Sequence, residues 1–132
     1  MRDPADAFHR AIPAIDLDET VEFDVAGLGC HLARRYAERV TLNFFGDQVV
    51  CHVSDRVDPD HELYPRHFEI TFRGREDFDD VLRLAELRRL PFVRKIDRRF
   101  EGAVEAHLTF ARRVPSNKLI EFKHHLDHRM VH

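Results

Sequence analysis

Apolar and polar positions run through the chain in two similar rounds. The first opens with the apolar run Phe8 to Ile15, broken by Pro13, whose missing N–H suits an edge or a strand end. In DLDETVEFDVAGLG two periods compete. Val21, Phe23 and Val25 alternate as in a strand, while Leu17, Val21, Val25 and Leu28 fall near helical spacing. Asp16 followed by Glu19 resembles a capping box, and Gly27 and Gly29 are stop signals, so the stretch is read as a helix. Val40 to Val53 then reads as two β-branched, aromatic strands turning at Gly46-Asp47.

The second round repeats the plan. HFEITF alternates cleanly from His67 to Phe72 and predicts a strand. From Glu76 to Leu90 the residues Phe78, Val81, Leu82, Ala85 and Leu90 recur at helical spacing, with acids at the start, Arg88-Arg89 at the end and Pro91 as the stop. Phe92 to Phe100 and Val104 to Arg112 predict strands around Glu101-Gly102. Pro115-Ser116-Asn117 is a turn, and Leu119 to Lys123 is a last strand. Only the polar segment Ser54 to Pro65 separates the rounds. The chain therefore reads as one α+β domain of two modules, about 7–55 and 64–123, sharing a continuous sheet, with a solvated tail over 124–132.

Composition narrows the function. The 132 residues are 43% hydrophobic and 34% charged, as expected of one ordered domain. Twenty-one basic against 24 acidic residues, a net charge of -3, argue against a nucleic-acid protein held by bulk charge. No apolar run approaches the roughly 18–20 residues that span a bilayer, and MRDPADAF lacks a signal peptide's apolar stretch. A cytoplasmic protein with no membrane partner is the expectation. Cys30 and Cys51, far apart in sequence, support neither a disulfide framework nor a zinc ribbon and are assigned to packing. Ten histidines are the unusual feature.

Strand parity sorts those histidines. Phe68, Ile70 and Phe72 should lie under a helix, so His67, Glu69 and Thr71 face the other way. By the same alternation His9, His52 and Glu121 project from the side opposite the helices. Imidazoles with one carboxylate suit a borderline divalent ion. His124, His125 and His128 are assigned to the tail.

Several ordered segments together resemble one known family. FHRAIPAIDLDETVEF with GLGC, VTLNFFGDQVVCHVS, YPRHFEITF, LPFVRKIDRRFEG and VPSNKLIEFK are similar to the vicinal oxygen chelate proteins, the superfamily of glyoxalases, bleomycin-resistance proteins and extradiol dioxygenases. The similarity covers about residues 7 to 123. It implies two βαβββ modules forming a U-shaped, eight-stranded mixed sheet around a cavity. It also implies metal ligands from the first and last strand of each module, and here those positions carry His9, His52, His67 and Glu121. Three departures stand out: Phe23-Asp24 in place of an aromatic pair, PSNK where relatives often have Gly-Asn, and Arg88-Arg89 without a glycine stop.

The resemblance implies a metal-dependent enzyme acting on a small bidentate oxygen substrate, since such an ion is a Lewis acid toward paired oxygens. The usual isomerase set has two carboxylates, one of which is replaced here by His52. With His52 off the metal, His9, His67 and Glu121 form a two-His-one-carboxylate triad suited to Fe2+ and oxygen chemistry on a catechol-like substrate; Zn2+, Ni2+ and Mn2+ are the other choices. Glu69 or His52 would be the general base. Phe45, Tyr64, Arg66 and Arg99 are substrate contacts by position. The competing expectation is a metal-free, ligand-sequestering protein of the bleomycin-resistance type. A homodimer is expected in either case, because open sheet edges need cover.

Overall fold

Strand β1 (His9–Ala14) leads into a helical stretch that begins as α1 (Leu17–Val21) and continues as a π-helical segment, Glu22–Gly27. Strands β2 (His31–Arg35), β3 (Arg39–Phe44) and β4 (Asp47–Val53) complete the first module. The second repeats the order with β5 (Phe68–Thr71), α2 (Arg75–Leu87), β6 (Phe92–Arg99), β7 (His107–Val114) and β8 (Lys118–His125), followed by a 3-10 turn, His128–Val131. This computed structural model describes residues 3, 5–58, 62 and 67–131. None of its described helices is long and apolar enough to cross a membrane.

The eight strands of the expected βαβββ plan are hydrogen-bonded as two four-stranded sheets, ordered β1-β4-β3-β2 and β5-β8-β7-β6. Each sheet is mixed: β1 is parallel to β4 and β5 to β8, and the other neighbours are antiparallel. Pro13 sits on edge strand β1, where its missing donor is tolerated. Strand β2 is exposed along its whole length, so HLARR carries no apolar alternation and gave no strand signal.

Local chemistry explains the element ends. The Asp16 side chain accepts from the Glu19 backbone N–H at 2.9 Å, as the capping pattern predicts. Helix α2 has no glycine stop; Arg89 itself takes the left-handed conformation at φ 53°. The β3–β4 hairpin turns on Phe45-Gly46, one residue earlier than predicted, with both residues at positive φ. Ser116 and Asn117, at φ 62° and 56°, make the last turn without the family's glycine. Strand β8 runs through His125 rather than ending at Lys123, because β7 offers Leu108 and His107 as partners for His124 and His125. His124 is therefore buried and bonded through Nδ1 to the Phe72 carbonyl at 3.1 Å, which corrects its assignment to a solvated tail.

The modules pack through their helical sides. Leu28, Cys30 and Phe44 of the first join Phe78, Val81, Phe110, Ile120 and Phe122 of the second in one core, and a smaller core of Ala14, Leu17, Val40, Leu42 and Cys51 lies under α1. A Cβ at Gly27 would come within 3.3 Å of the Leu90 side chain, so the two segments pack closely there. Burial pushes both cysteine thiols up to about 12, with Asp24 adding to the rise, so they act as packing groups.

Two outcomes follow from this core. Phe110 is fully buried against Phe78, Phe92 and Phe122, so Phe110→Ala should cost about 3–5 kcal/mol, read as a lower urea midpoint. Asp24 is buried in the π-helical segment. Burial pushes its carboxyl up to about 7, offset in part by Lys118. The folded chain then holds a proton that the unfolded chain releases near 3.8. This contribution to stability is complete below about pH 4 and lost as pH rises to about 7. Asp24→Asn should flatten that slope in denaturation curves measured across the window.

Candidate functional site

The parity of β5 and β8 places their chemistry together. The two strands are parallel, with Glu69 opposite Glu121 and Thr71 opposite Lys123. Phe68, Ile70 and Phe122 pack into the core, so His67, Glu69, Glu121 and Lys123 occupy the other face. His67 Nε2 lies 3.3 Å from Glu121 Oε2 and 3.6 Å from Glu69 Oε2. Among the described residues these three form the group of His, Cys, Asp and Glu side chains able to hold a metal ion, with one donor atom of each inside a 4.8 Å span.

Glu121 is the most constrained member. It is 1% exposed, and a buried carboxylate is tolerated only with hydrogen-bonding or charged partners. Thr109, fully buried on β7, donates to Glu121 Oε1 at 2.6 Å, and Arg94 Nη1 lies 3.9 Å from the same oxygen. Oε2 is the oxygen turned toward His67, so the carboxylate is oriented with one oxygen toward protein donors and the other toward the candidate centre. Neither Thr109 nor Arg94 was singled out in the sequence. A threonine in an apolar strand gives no signal until the cross-strand register is known.

Glu69 is tethered on both oxygens. Thr71 donates to Oε1 at 2.8 Å and Lys123 to Oε2 at 2.6 Å. Burial alone would raise its pKa, but the bonds from Lys123, Thr71 and His67 outweigh burial and hold it below the usual carboxylate range.

His9 and His52 meet elsewhere. The β1–β4 register puts His9 opposite Gln48 and Pro13 opposite His52, so both histidines share one face of the first sheet, as parity predicts. Both are exposed, and they line a separate cavity of about 320 Å³ with Arg34, Tyr36, Arg39, Thr41 and Val50. His9 Nδ1 is 3.5 Å from Gln48 Oε1. Neither belongs to the group around His67. The described residues thus gather into two separate groups, an acidic one around His67 and a basic one around His9 and His52. A cleft of about 460 Å³ runs between edge strands β1 and β5; His67 borders it, and Arg10 sits over the Phe68 ring at 5.0 Å.

The other candidates scatter. Phe45 packs on Phe44, Phe72 and Phe122, on the core side rather than beside Glu121. Arg99 lies at the far end of β6, opposite His107, with its guanidinium over Phe100. Tyr64 and Arg66 lie outside the described residues.

Comparison with known proteins adds the lineage. No family model and no curated protein matches the sequence. Among solved structures, a glyoxalase/bleomycin resistance protein/dioxygenase from Alicyclobacillus acidocaldarius is 56% identical over 100% of both chains, with a TM-score of 0.94. The fosfomycin resistance protein FosX from Listeria monocytogenes is 15% identical over 94% of this chain and 97% of its own, with a TM-score of 0.69. A lactoylglutathione lyase from Agrobacterium tumefaciens is 14% identical over 93% and 96%, with a TM-score of 0.66. The last two share the fold.

The Thr109–Glu121 bond can be tested by itself. Thr109→Val keeps the volume but leaves a buried carboxylate oxygen short of a donor. It should destabilise the chain by about 1–3 kcal/mol in urea unfolding, and the loss should vanish in the Thr109→Val, Glu121→Leu double variant.

Proposed function

The chain belongs to the vicinal oxygen chelate superfamily, and from that premise we propose that it is a metal-dependent enzyme acting on a small substrate with two neighbouring oxygens. The observation that carries this reading is the buried Glu121 carboxylate turned by Thr109 toward His67 Nε2. The residues fit a divalent ion: an imidazole and a carboxylate supply borderline and hard donors within one ion's reach. Once bound, the ion would supply Lewis acidity toward the paired oxygens.

One half-site is too few donors for a firmly held borderline ion, because Glu69 is already committed to Thr71 and Lys123. We propose that His9 and His52 of a second copy complete the set. Charge supports the match. The His9/His52 cavity is lined by Arg34 and Arg39, and the His67 face carries Glu69 and Glu121. With both histidines coordinating, the set is three imidazoles and one carboxylate. With His52 off the metal it is the two-His-one-carboxylate triad that favours Fe2+. Glu69, on the face beside His67, or His52 would serve as the general base that accepts a substrate proton. Lys123 keeps Glu69 in position.

His67→Ala or Glu121→Ala should abolish stoichiometric metal in anaerobically purified, untagged protein, measured by elemental analysis. Iron would favour a dioxygenase. Zinc, nickel or manganese would favour a lyase or isomerase. The absence of any metal after reconstitution would overturn the proposal in favour of ligand sequestration. Shared ligation has its own readout. In an isolated mixed dimer of a His9→Ala, His52→Ala chain with a His67→Ala, Glu121→Ala chain, metal should return to about half of the wild-type content, since one of its two sites is intact. No restoration in a confirmed mixed dimer would place all ligands within one chain.

A further inference from the structure

The same face of the second sheet carries another pair of ligand-type side chains at its far end. His107 on β7 lies directly opposite His125 on β8, in line with the Thr109–Lys123 and Ala111–Glu121 pairs. Alternation therefore puts both imidazoles on the side of Glu121, with His125 about 13 Å along the strand from it. Opposed residues on one sheet face bring their Cβ atoms to about 5 Å, close enough for two imidazoles to reach one ion. The rings meet edge-on with centroids 5.1 Å apart.

Hydrogen bonding fixes what each ring can do. His107 is buried, and its Nδ1 lies 2.8 Å from the Glu105 carbonyl oxygen. A carbonyl only accepts, so Nδ1 carries a proton, and Nε2 is the nitrogen left to offer a lone pair to an ion. A ring nitrogen bonded to a backbone carbonyl while the other is left bare is the usual support of a metal-ligating histidine. His125 complements it. Its Nδ1 is buried and meets no hydrogen-bond partner. A buried ring nitrogen with no hydrogen bond is unfavourable, and a ligand would relieve it.

We propose that His107 and His125 form a second metal site, a cross-strand imidazole clamp for a borderline divalent ion such as Cu2+, Ni2+ or Zn2+, separate from the centre at His67 and Glu121. The donor set selects the ion. Among the described residues no carboxylate joins the pair in a three-donor group, so Mg2+, Ca2+ and Mn2+, which want oxygen ligands, are excluded. Water or an exogenous ligand fills the remaining positions. The other close histidines do not belong to it. His124 faces the opposite side of β8, bonded to Phe72, with its ring 6.4 Å from that of His128.

Copper(II) titration of the chelator-stripped full chain, followed by electron paramagnetic resonance, tests the proposal. An ion with two equatorial nitrogens is expected. His125→Gln, at a partly exposed position, should remove about one equivalent, and His107→Gln should do the same. The double variant His124→Gln, His128→Gln should keep that equivalent, as should His67→Ala, which touches only the other centre. Retention of the full copper content in a folded His125→Gln chain would overturn the site. So would an oxygen-only spectrum, or loss that tracks His124 and His128. Should His107→Gln fail to fold, the His125→Gln titration and the wild-type spectrum decide.

Discussion

The second module is organised around a carboxylate buried where two strands meet. Glu121 stands on β8 between β5 and β7, at 1% exposure, on a sheet face whose floor is also closed by Thr109 and Ala111. An ion of that kind needs compensation from every side. Thr109 answers one oxygen from β7, His67 answers the other from the residue before β5, and Arg94 approaches from β6. Three flanking segments must therefore stand in one register for one carboxylate to be accommodated. The same demand makes the position a good seat for a cation: the protein has already met the desolvation cost of the anion and keeps one oxygen facing an imidazole.

What lets this face be polar is that the other face is not. Phe68, Ile70, Phe110 and Phe122 turn to the helix side, where Phe78 from α2 and Phe44 from the first module meet them. Phe45 takes positive φ in the hairpin turn, an unfavourable conformation for a bulky residue. It is held there by edge contacts to Phe72 and Phe122 at 5.7 and 6.1 Å. The aromatic cluster joins the modules back to back, and this leaves the face of His9 and His52 exposed and apart from that of His67 and Glu121.

Period-two alternation was enough to put His67, Glu69 and Glu121 on one face, because HFEITF and LIEFK each have a clean apolar side. It was equally right about the face of His9 and His52, but parity says nothing about which sheets confront each other, and four residues with the same parity need not meet. The exposed strand β2 left no trace because neither of its faces is buried. The C-terminal histidines were misjudged for a related reason. KHHLDH looks like a tail until β7 is seen to run long enough to pair with it. Turns were legible where the chemistry is local, as at Asn117, and illegible where a tertiary contact holds an improbable residue, as at Phe45.

The tether on Glu69 bears on how such a site can change its chemistry. Lys123 occupies the β8 position two residues beyond Glu121, so it shares that residue's face and reaches across to β5. Its ammonium takes Glu69 Oε2 at 2.6 Å while Thr71 takes Oε1, so both oxygens of Glu69 are held by neighbouring side chains. A neutral residue at that position would release a second carboxylate beside His67 and convert the local donors from one imidazole and one acid to one imidazole and two acids. Hard ions such as Mn2+ gain from that exchange more than Fe2+ or Zn2+. In the proposed metal centre this one ion pair would set the balance between oxygen and nitrogen donors, which the fold itself leaves open.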